Sequence, residues 1–217
     1  MELLQEPGST CRILLVGNSL ANDFITKPQN VERLVFVDEQ ILQSLSSLKT
    51  NNGLLGIFKY PEFPSRPTNE LPSFTLYLDQ IKDPGNLGTI IRTADWFGIK
   101  KIYCSRDCVD PFNSKVIQSS MASILRVEIN SIDWEEFHVL ASENSIYAAT
   151  PEGESYFHIN KSEVKILCIG NESNGLRNFV LQDAYKKITI PKASNSKTES
   201  LNAAVATAIL LAWKFSN

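Results

Sequence analysis

The chain has 217 residues, 43% hydrophobic and 21% charged, the make-up of a soluble globular protein with material for one sizeable core. A net charge of -3 argues against a protein that coats nucleic acid by bulk charge, while leaving room for a local basic patch. No apolar run reaches the length of a membrane span, and MELLQEPGSTCRILLVG lacks the features of a signal peptide, so the chain reads as cytoplasmic, with no membrane partner.

In chain order, CRILLVG and VERLVFVD predict strands, EQILQSLSSL a helix, and NGLLGIFKY a third strand entered through an Asn52-Gly53 turn. Residues 1–60 thus form a small α/β unit. KYPEFPSRPTNELPSF follows, with four prolines and little periodic pattern. Proline fixes φ and removes amide donors, so residues 61–73 predict an extended linker. Residues 74–217 alternate more clearly. FTLYLD is a strand, followed by a loop and a helix ending near Gly98, then the strand KKIYCS. The polar helix NSKVIQSSMAS leads to ILRVEI, and HVLASEN precedes SIYAAT. VKILCIG and KKITIP are strands, and SLNAAVATAILLAWKF closes the chain as an alanine-rich helix. This alternation predicts an α/β fold with a mostly parallel sheet covered on both faces. Ligands bind such sheets beyond the carboxyl ends of their strands. The loops after FTLYLD, SIYAAT, VKILCIG and KKITIP are therefore the candidate site.

Other chemistry finds little support. Cys11, Cys104, Cys108 and Cys168 are too few and scattered for a disulfide framework, and no second cysteine pair or nearby histidine makes a zinc site of Cys104 and Cys108. His138 and His158 lie in no metal-like or triad-like spacing, so neither a metal nor Ser/His/Asp chemistry is expected. Basic residues gather in two places: Lys100, Lys101, Arg106, Lys115 and Arg126, and Lys186, Lys187, Lys192 and Lys197. Each group is either a solvated rim of mixed charges or a local basic patch.

Three loops carry distinctive residues. In LDQIKDPGNLGTIIRTADWFG, Pro84-Gly85 predicts a turn, Asn86 either caps a helix or presents its amide to a cleft, and Gly88 permits close backbone approach. Ile90, Ile91, Ala94 and Phe97 recur at helical spacing and should face the core. Arg92 sits among them, either reaching the cleft or snorkelling over the surface. The glycines do not fit GxGxxG and no Walker lysine follows, so a nucleotide-phosphate loop is not indicated. In ILCIGNESNGL, Gly170, Asn171, Glu172 and Gly175 follow an apolar strand, as in a tight ligand loop or a plain strand-to-helix turn. In ITIPKASNSKTESLNAAVATAILLAW, Ser200 or Glu199 is either the helix cap or part of a site.

Taken together, Asn-x-Gly-x-x-x-Arg-x-Ala, Gly-Asn-Glu-x-x-Gly-Leu, and Ile-Pro followed by Ser-Leu-Asn resemble the three signature motifs of the SpoU (TrmH-type) RNA ribose methyltransferases of the SPOUT superfamily. The resemblance covers roughly residues 74–217. LKTNNGLLGIFKYPEF also resembles the end of the L30e-like domain that precedes the catalytic domain in many rRNA-modifying members, here reduced. The resemblance implies a C-terminal trefoil knot, which no periodicity argument predicts. It implies S-adenosylmethionine as cofactor, a ribose 2′-hydroxyl of RNA as acceptor, rRNA in preference to tRNA, and a homodimer whose site draws on both chains. Ala149, Thr150, Gly170, Asn171, Ile190, Pro191 and Leu201 match the family's cofactor pocket. Asn86, Arg92, Glu172, Ser200 and Asn202 match its active-site positions, with Glu172 fixing either Arg92 or Asn86. One departure stands out. The family commonly has Ile-Pro-Met with a glycine soon after, whereas this chain has Ile190-Pro191-Lys192, no glycine, and a longer loop before Ser200. A tRNA enzyme of the same chemistry and a non-catalytic RNA-binding protein of the same fold are the competing readings.

Overall fold

The computed structural model of the protein describes residues 2–46, 52–63, 71–141 and 145–216. The chain divides into two compact units, Met1–Pro64 and Ser65–Asn217. The central stretch of the proline-rich segment, residues 64–70, lies outside the described residues, as do the end of EQILQSLSSL and part of HVLASEN.

The first unit contains α1 (Glu2–Gln5), β1 (Cys11–Gly17), a 3-10 segment (Asn18–Phe24), β2 (Val31–Val37), α2 (Glu39–Leu45) and β3 (Leu54–Phe58). Its sheet has the order β2-β1-β3, with β1 parallel to β2 and antiparallel to β3. Cys11, Leu14, Val16, Phe24 and Val31 form its core. Parallel neighbours need a crossover. The 3-10 segment supplies it, an element with no clear period in the sequence. Gly53 takes a φ of 74° at the expected turn into β3.

The second unit contains β4 (Thr75–Leu78), α3 (Pro84–Trp96), β5 (Lys101–Cys104), α4 (Ser114–Ser120) and β6 (Glu128–Ser131). It continues with α5 (Trp134–Ala141), β7 (Ile146–Ser155), β8 (Ile166–Ile169), α6 (Asn178–Asp183), β9 (Lys186–Thr189) and α7 (Ala203–Phe215). The sheet order is β6-β5-β4-β8-β7-β9, and every pairing is parallel. Strands covered on both faces should be apolar throughout, and all four residues of β4 and of β8 are buried. On one face Tyr77, Tyr103, Trp134, Phe137 and Val180 share a cluster. Elsewhere α3 packs against α4 and α7. The chain runs outward from β4 through β5 to β6 and then returns to the other side of β4. The order thus reverses between β4 and β8, where ligands bind in open α/β sheets.

Several boundaries differ from the sequence reading, each for a local reason. Pro84-Gly85 is not a free turn but the first turn of α3. Asp83 is its N-cap, Oδ1 accepting from Asn86 N at 2.8 Å, and Pro84 sits where a missing amide costs nothing. Asn86 is therefore inside the helix, and its side chain is free for other bonds. Gly88 meets α4: a Cβ there would lie 2.6 Å from Val116 O and 2.8 Å from Ser120 N. Ile90, Ile91 and Ala94 are buried as expected, whereas Phe97 is half-buried and stacks on Phe215. Within ILRVEI the strand starts only at Glu128, because a 3-10 segment runs on to Leu125. β7 extends past Thr150 to Ser155 through a bulge between Ala149 and Glu154. The cap of α7 is Asn202, not Ser200 or Glu199: its Oδ1 accepts from Ala204 N (3.0 Å) and Val205 N (3.2 Å).

Candidate functional site

A cavity of about 540 Å³ opens at the β7 bulge and the carboxyl ends of β8 and β9. Its walls include Ala149 and Thr150 at the β7 bulge, Gly170 and Asn171 after β8, and Ile190, Pro191 and Leu201 from the loop between β9 and α7. All seven proposed cofactor residues thus share one wall, joined by Glu172 and Ser200. The volume lies in the range of small-molecule sites, about 300–1,000 Å³.

The loop after β8 is held closed by backbone and side chain together. Asn171 N donates to Gly175 O (3.1 Å), and Gly175 N donates to Asn171 O (2.8 Å). Asn171 Oδ1 accepts from Ser173 N (2.8 Å) and Asn174 N (3.2 Å), while Nδ2 donates to Gln80 O (3.0 Å) in the loop after β4. Gly170 is needed because a Cβ there would lie 2.3 Å from Gly175 C and 2.4 Å from Leu176 N. Behind the loop, fully buried Asp79 accepts from Arg177 Nε (2.8 Å) and Arg177 N (2.9 Å). Arg177 also pairs with Asp107 at 2.9 Å. Desolvating both charges is costly, so the pair's value here is to fix two loops against each other. Cys108, whose Sγ accepts from Ile81 N at 3.3 Å, is held below the usual thiol range by the neighbouring Cys104 thiol and by Ser105.

Three of the five proposed active-site residues form one chain of hydrogen bonds. Asn86 Nδ2 donates to Glu172 Oε1, and Asn202 Nδ2 donates to Asn86 Oδ1 at 2.9 Å. Because Asn202 also caps α7, its amide has one available orientation, and Asn86 and Glu172 follow from it. Ser200 Oγ lies 3.5 Å from Glu172 O, the outer limit of a hydrogen bond. The three motif segments, far apart in sequence, therefore meet through side chains. Of the two partners proposed for Glu172, the bond goes to Asn86.

Arg92 stands apart. It is exposed on α3 and has no hydrogen bond or ion pair among the described residues. It lies six positions beyond Asn86, about 9 Å along the axis and on a different face. Asn86, Arg92 and Asn202 do not line the cavity. Lining residues that the sequence reading left unassigned include Lys192, Ser196 and Thr198, and Glu199, offered there as a cap or a site residue, lines the cavity too. They belong to the polar stretch where the chain departs from the family pattern, and no periodicity marks them. Among the described residues, no cluster of three or more His, Cys, Asp or Glu could hold a metal, and no helix is long and apolar enough to cross a membrane.

Comparison with known proteins bears on this geometry. An uncharacterised tRNA/rRNA methyltransferase of Synechocystis is 31% identical over 181 residues, covering 81% of this chain. The chain spans 64% of that relative's length, less than two thirds. The Bacillus subtilis 23S rRNA (guanosine(2553)-2'-O)-methyltransferase RlmP is 27% identical over 216 residues, covering 97% of this chain and 82% of its own. The crystal structure of an AdoMet-bound rRNA methyltransferase from Sinorhizobium meliloti superposes with a TM-score of 0.82 at 27% identity, over 99% of this chain and 84% of that one. Residues 73–212, nearly all of the second unit, match the SpoU rRNA Methylase family, and the chain belongs to it.

Proposed function

We propose that the protein transfers a methyl group from S-adenosylmethionine to a ribose 2′-hydroxyl of RNA, with rRNA as the substrate. The observation that carries this reading is the meeting of the three motif segments, through Asn86, Glu172 and Asn202, beside a cavity walled by the seven cofactor positions. The residues present fit the cofactor. The cavity is large enough, offers loop backbone from Gly170 and Asn171 and apolar surface from Ile190 and Leu201, and carries acidic side chains suited to a cationic ligand. Ala149, Thr150, Gly170, Asn171, Ile190, Pro191 and Leu201 would hold it.

S-adenosylmethionine supplies an electrophilic methyl on a sulfonium leaving group, so the protein's task is alignment and charge. Alignment alone contributes about 7–11 kcal/mol in well-oriented systems. Asn86, fixed by Glu172 and Asn202, orients the acceptor nucleotide. Ser200 shapes the wall near the transferred methyl, and Asn202, outside that wall, acts by holding Asn86. Arg92 binds an RNA phosphate and stabilises the developing 2′-oxyanion. A guanidinium stays protonated, so it is not the base, and the proton leaves to water or a phosphate.

The working unit in this reading is a homodimer. Val205 (48% exposed) on α7 and Trp96 (85% exposed) on α3 give these packed helices apolar surface for a second copy. Arg92, too far along α3 to join Asn86 of its own chain, then serves the partner's site. The C-terminal segment is read as threaded in a trefoil knot. The first unit, with a three-stranded sheet and exposed Arg12 and Arg33, is read as a reduced L30e-like RNA-binding module in a cytoplasmic enzyme. The test is transfer of tritiated methyl from S-adenosylmethionine to total RNA, followed by alkaline hydrolysis. Ribose methylation leaves label in alkali-resistant dinucleotides; label in mononucleotides only would mean base methylation and refute the proposal.

A further inference from the structure

The loop between β9 and α7 holds charges that the proposed chemistry leaves unused. The charged side chains lining the cavity are Glu172, Glu199 and Lys192. Glu172 is engaged by Asn86. Lys192 is exposed, and its Nζ makes one long bond, 3.4 Å to Thr198 O, which is neutral. An ammonium has three protons to donate, so most of its capacity is open. Lys192 and Glu199 share a loop and line the same cavity, yet no ion pair joins them and neither has an oppositely charged partner among the described residues. A cation and an anion that line one cavity without pairing match a zwitterion.

We infer that Lys192 reads the carboxylate of the ligand's α-amino-acid group, with Glu199 facing its ammonium. The inference rests on S-adenosylmethionine as the ligand of this cavity. That ligand carries one anionic group among two cationic ones, its sulfonium and its ammonium. A lysine in the wall repels both cations, so it can be accommodated only where it meets the carboxylate. Lys192 therefore fixes which end of the ligand enters the loop, in addition to its contribution to affinity. It also gives a role to the residue that stands where the family commonly has methionine.

The test is calorimetric titration of the wild type, Lys192→Met and Lys192→Arg. The probes are S-adenosylhomocysteine and 5′-methylthioadenosine, which keeps the thioether nucleoside but has no amino-acid group. A charge-assisted bond in a partly open site gives an expected loss of about tenfold for S-adenosylhomocysteine in Lys192→Met. Lys192→Arg retains most of the affinity, and 5′-methylthioadenosine binds all three proteins equally. Equal losses for both ligands, or unchanged S-adenosylhomocysteine affinity in Lys192→Met, overturns the inference while leaving the cofactor reading intact. A wild type that binds neither S-adenosylmethionine nor S-adenosylhomocysteine overturns that reading and the inference with it.

Discussion

Gly170→Ala puts one methyl into the tightest point of the site. The added carbon would lie 2.3 Å from Gly175 C, 2.4 Å from Leu176 N and 2.5 Å from Gly175 O. All three are backbone atoms, so no rotamer change relieves the clash. Carbon contacts settle at about 3.5–4.0 Å, so the loop must retreat by roughly 1 Å or more. Overpacking of this kind costs about 1–3 kcal/mol. For a domain of this size that is a fall in melting temperature of roughly 2–12 °C. The retreat also breaks the paired Asn171–Gly175 bonds that hold the cavity wall. A misplacement near 1 Å can cost a positioned site about 100-fold in rate, and affinity for a ligand held by this wall should fall with it. The assay pairs thermal unfolding with calorimetric titration of S-adenosylmethionine. Gly98→Ala is the control: φ is 75° with open space around the position, so it costs stability and leaves affinity unchanged. Wild-type melting and wild-type affinity in Gly170→Ala would refute the account of the loop.

Three further outcomes are expected. Arg92→Ala and Asn86→Ala should each be inactive as pure proteins, but co-expressed they should recover about a quarter of wild-type activity, because half the dimers carry one intact shared site; no recovery would mean that Arg92 serves its own chain. Arg177→Ala strands the buried Asp79 charge and should destabilise the protein by about 3–5 kcal/mol in urea unfolding; a loss below about 1 kcal/mol would show that water reaches Asp79 freely. Burial opposes ionisation of Asp95, but Arg126 Nε at 2.7 Å and Ser123 Oγ at 2.9 Å outweigh it and hold its carboxyl below the usual range. Its folded pKa is lowered, so its stabilisation is present above the unfolded value of about 3.9 and lost as pH falls through the folded one. Asp95→Asn should therefore be about 1–2 kcal/mol less stable than wild type at pH 7, with the gap closing in acid; a gap that widens as pH falls would contradict the pairing.

The strands of the second unit were legible because burial on both faces demands apolar runs, and FTLYLD and VKILCIG have them. The cap of α3 was hidden because Asp83-Pro84-Gly85 reads equally as a turn, and only the bond from Asn86 N decides between them. Ser200 resembled a helix cap by residue type, yet Asn202 takes that role, leaving Ser200 beside Glu172. The extension of β7 was unreadable because Thr150, Pro151, Glu152 and Gly153 make a bulge, not an alternating strand. The bond between Asn86 and Glu172 spans 86 positions, beyond any local pattern. Those residues were found through the family's ordered motifs. By the same token Lys192 breaks the third motif, so the sequence marks it as a departure and carries no sign that it lines a cavity. Its place in the cavity wall came from the structure.

The central claim is ribose methylation of rRNA by this chain. The most direct measurement maps every 2′-O-methyl group in the rRNA and tRNA of cells with and without the gene, with the Arg92→Ala variant restored in a third strain. The account predicts that at least one rRNA ribose loses its methyl group on deletion and that Arg92→Ala fails to bring it back. Loss confined to tRNA would contradict the rRNA assignment. Identical maps in all three strains would contradict the claim that the chain methylates either RNA.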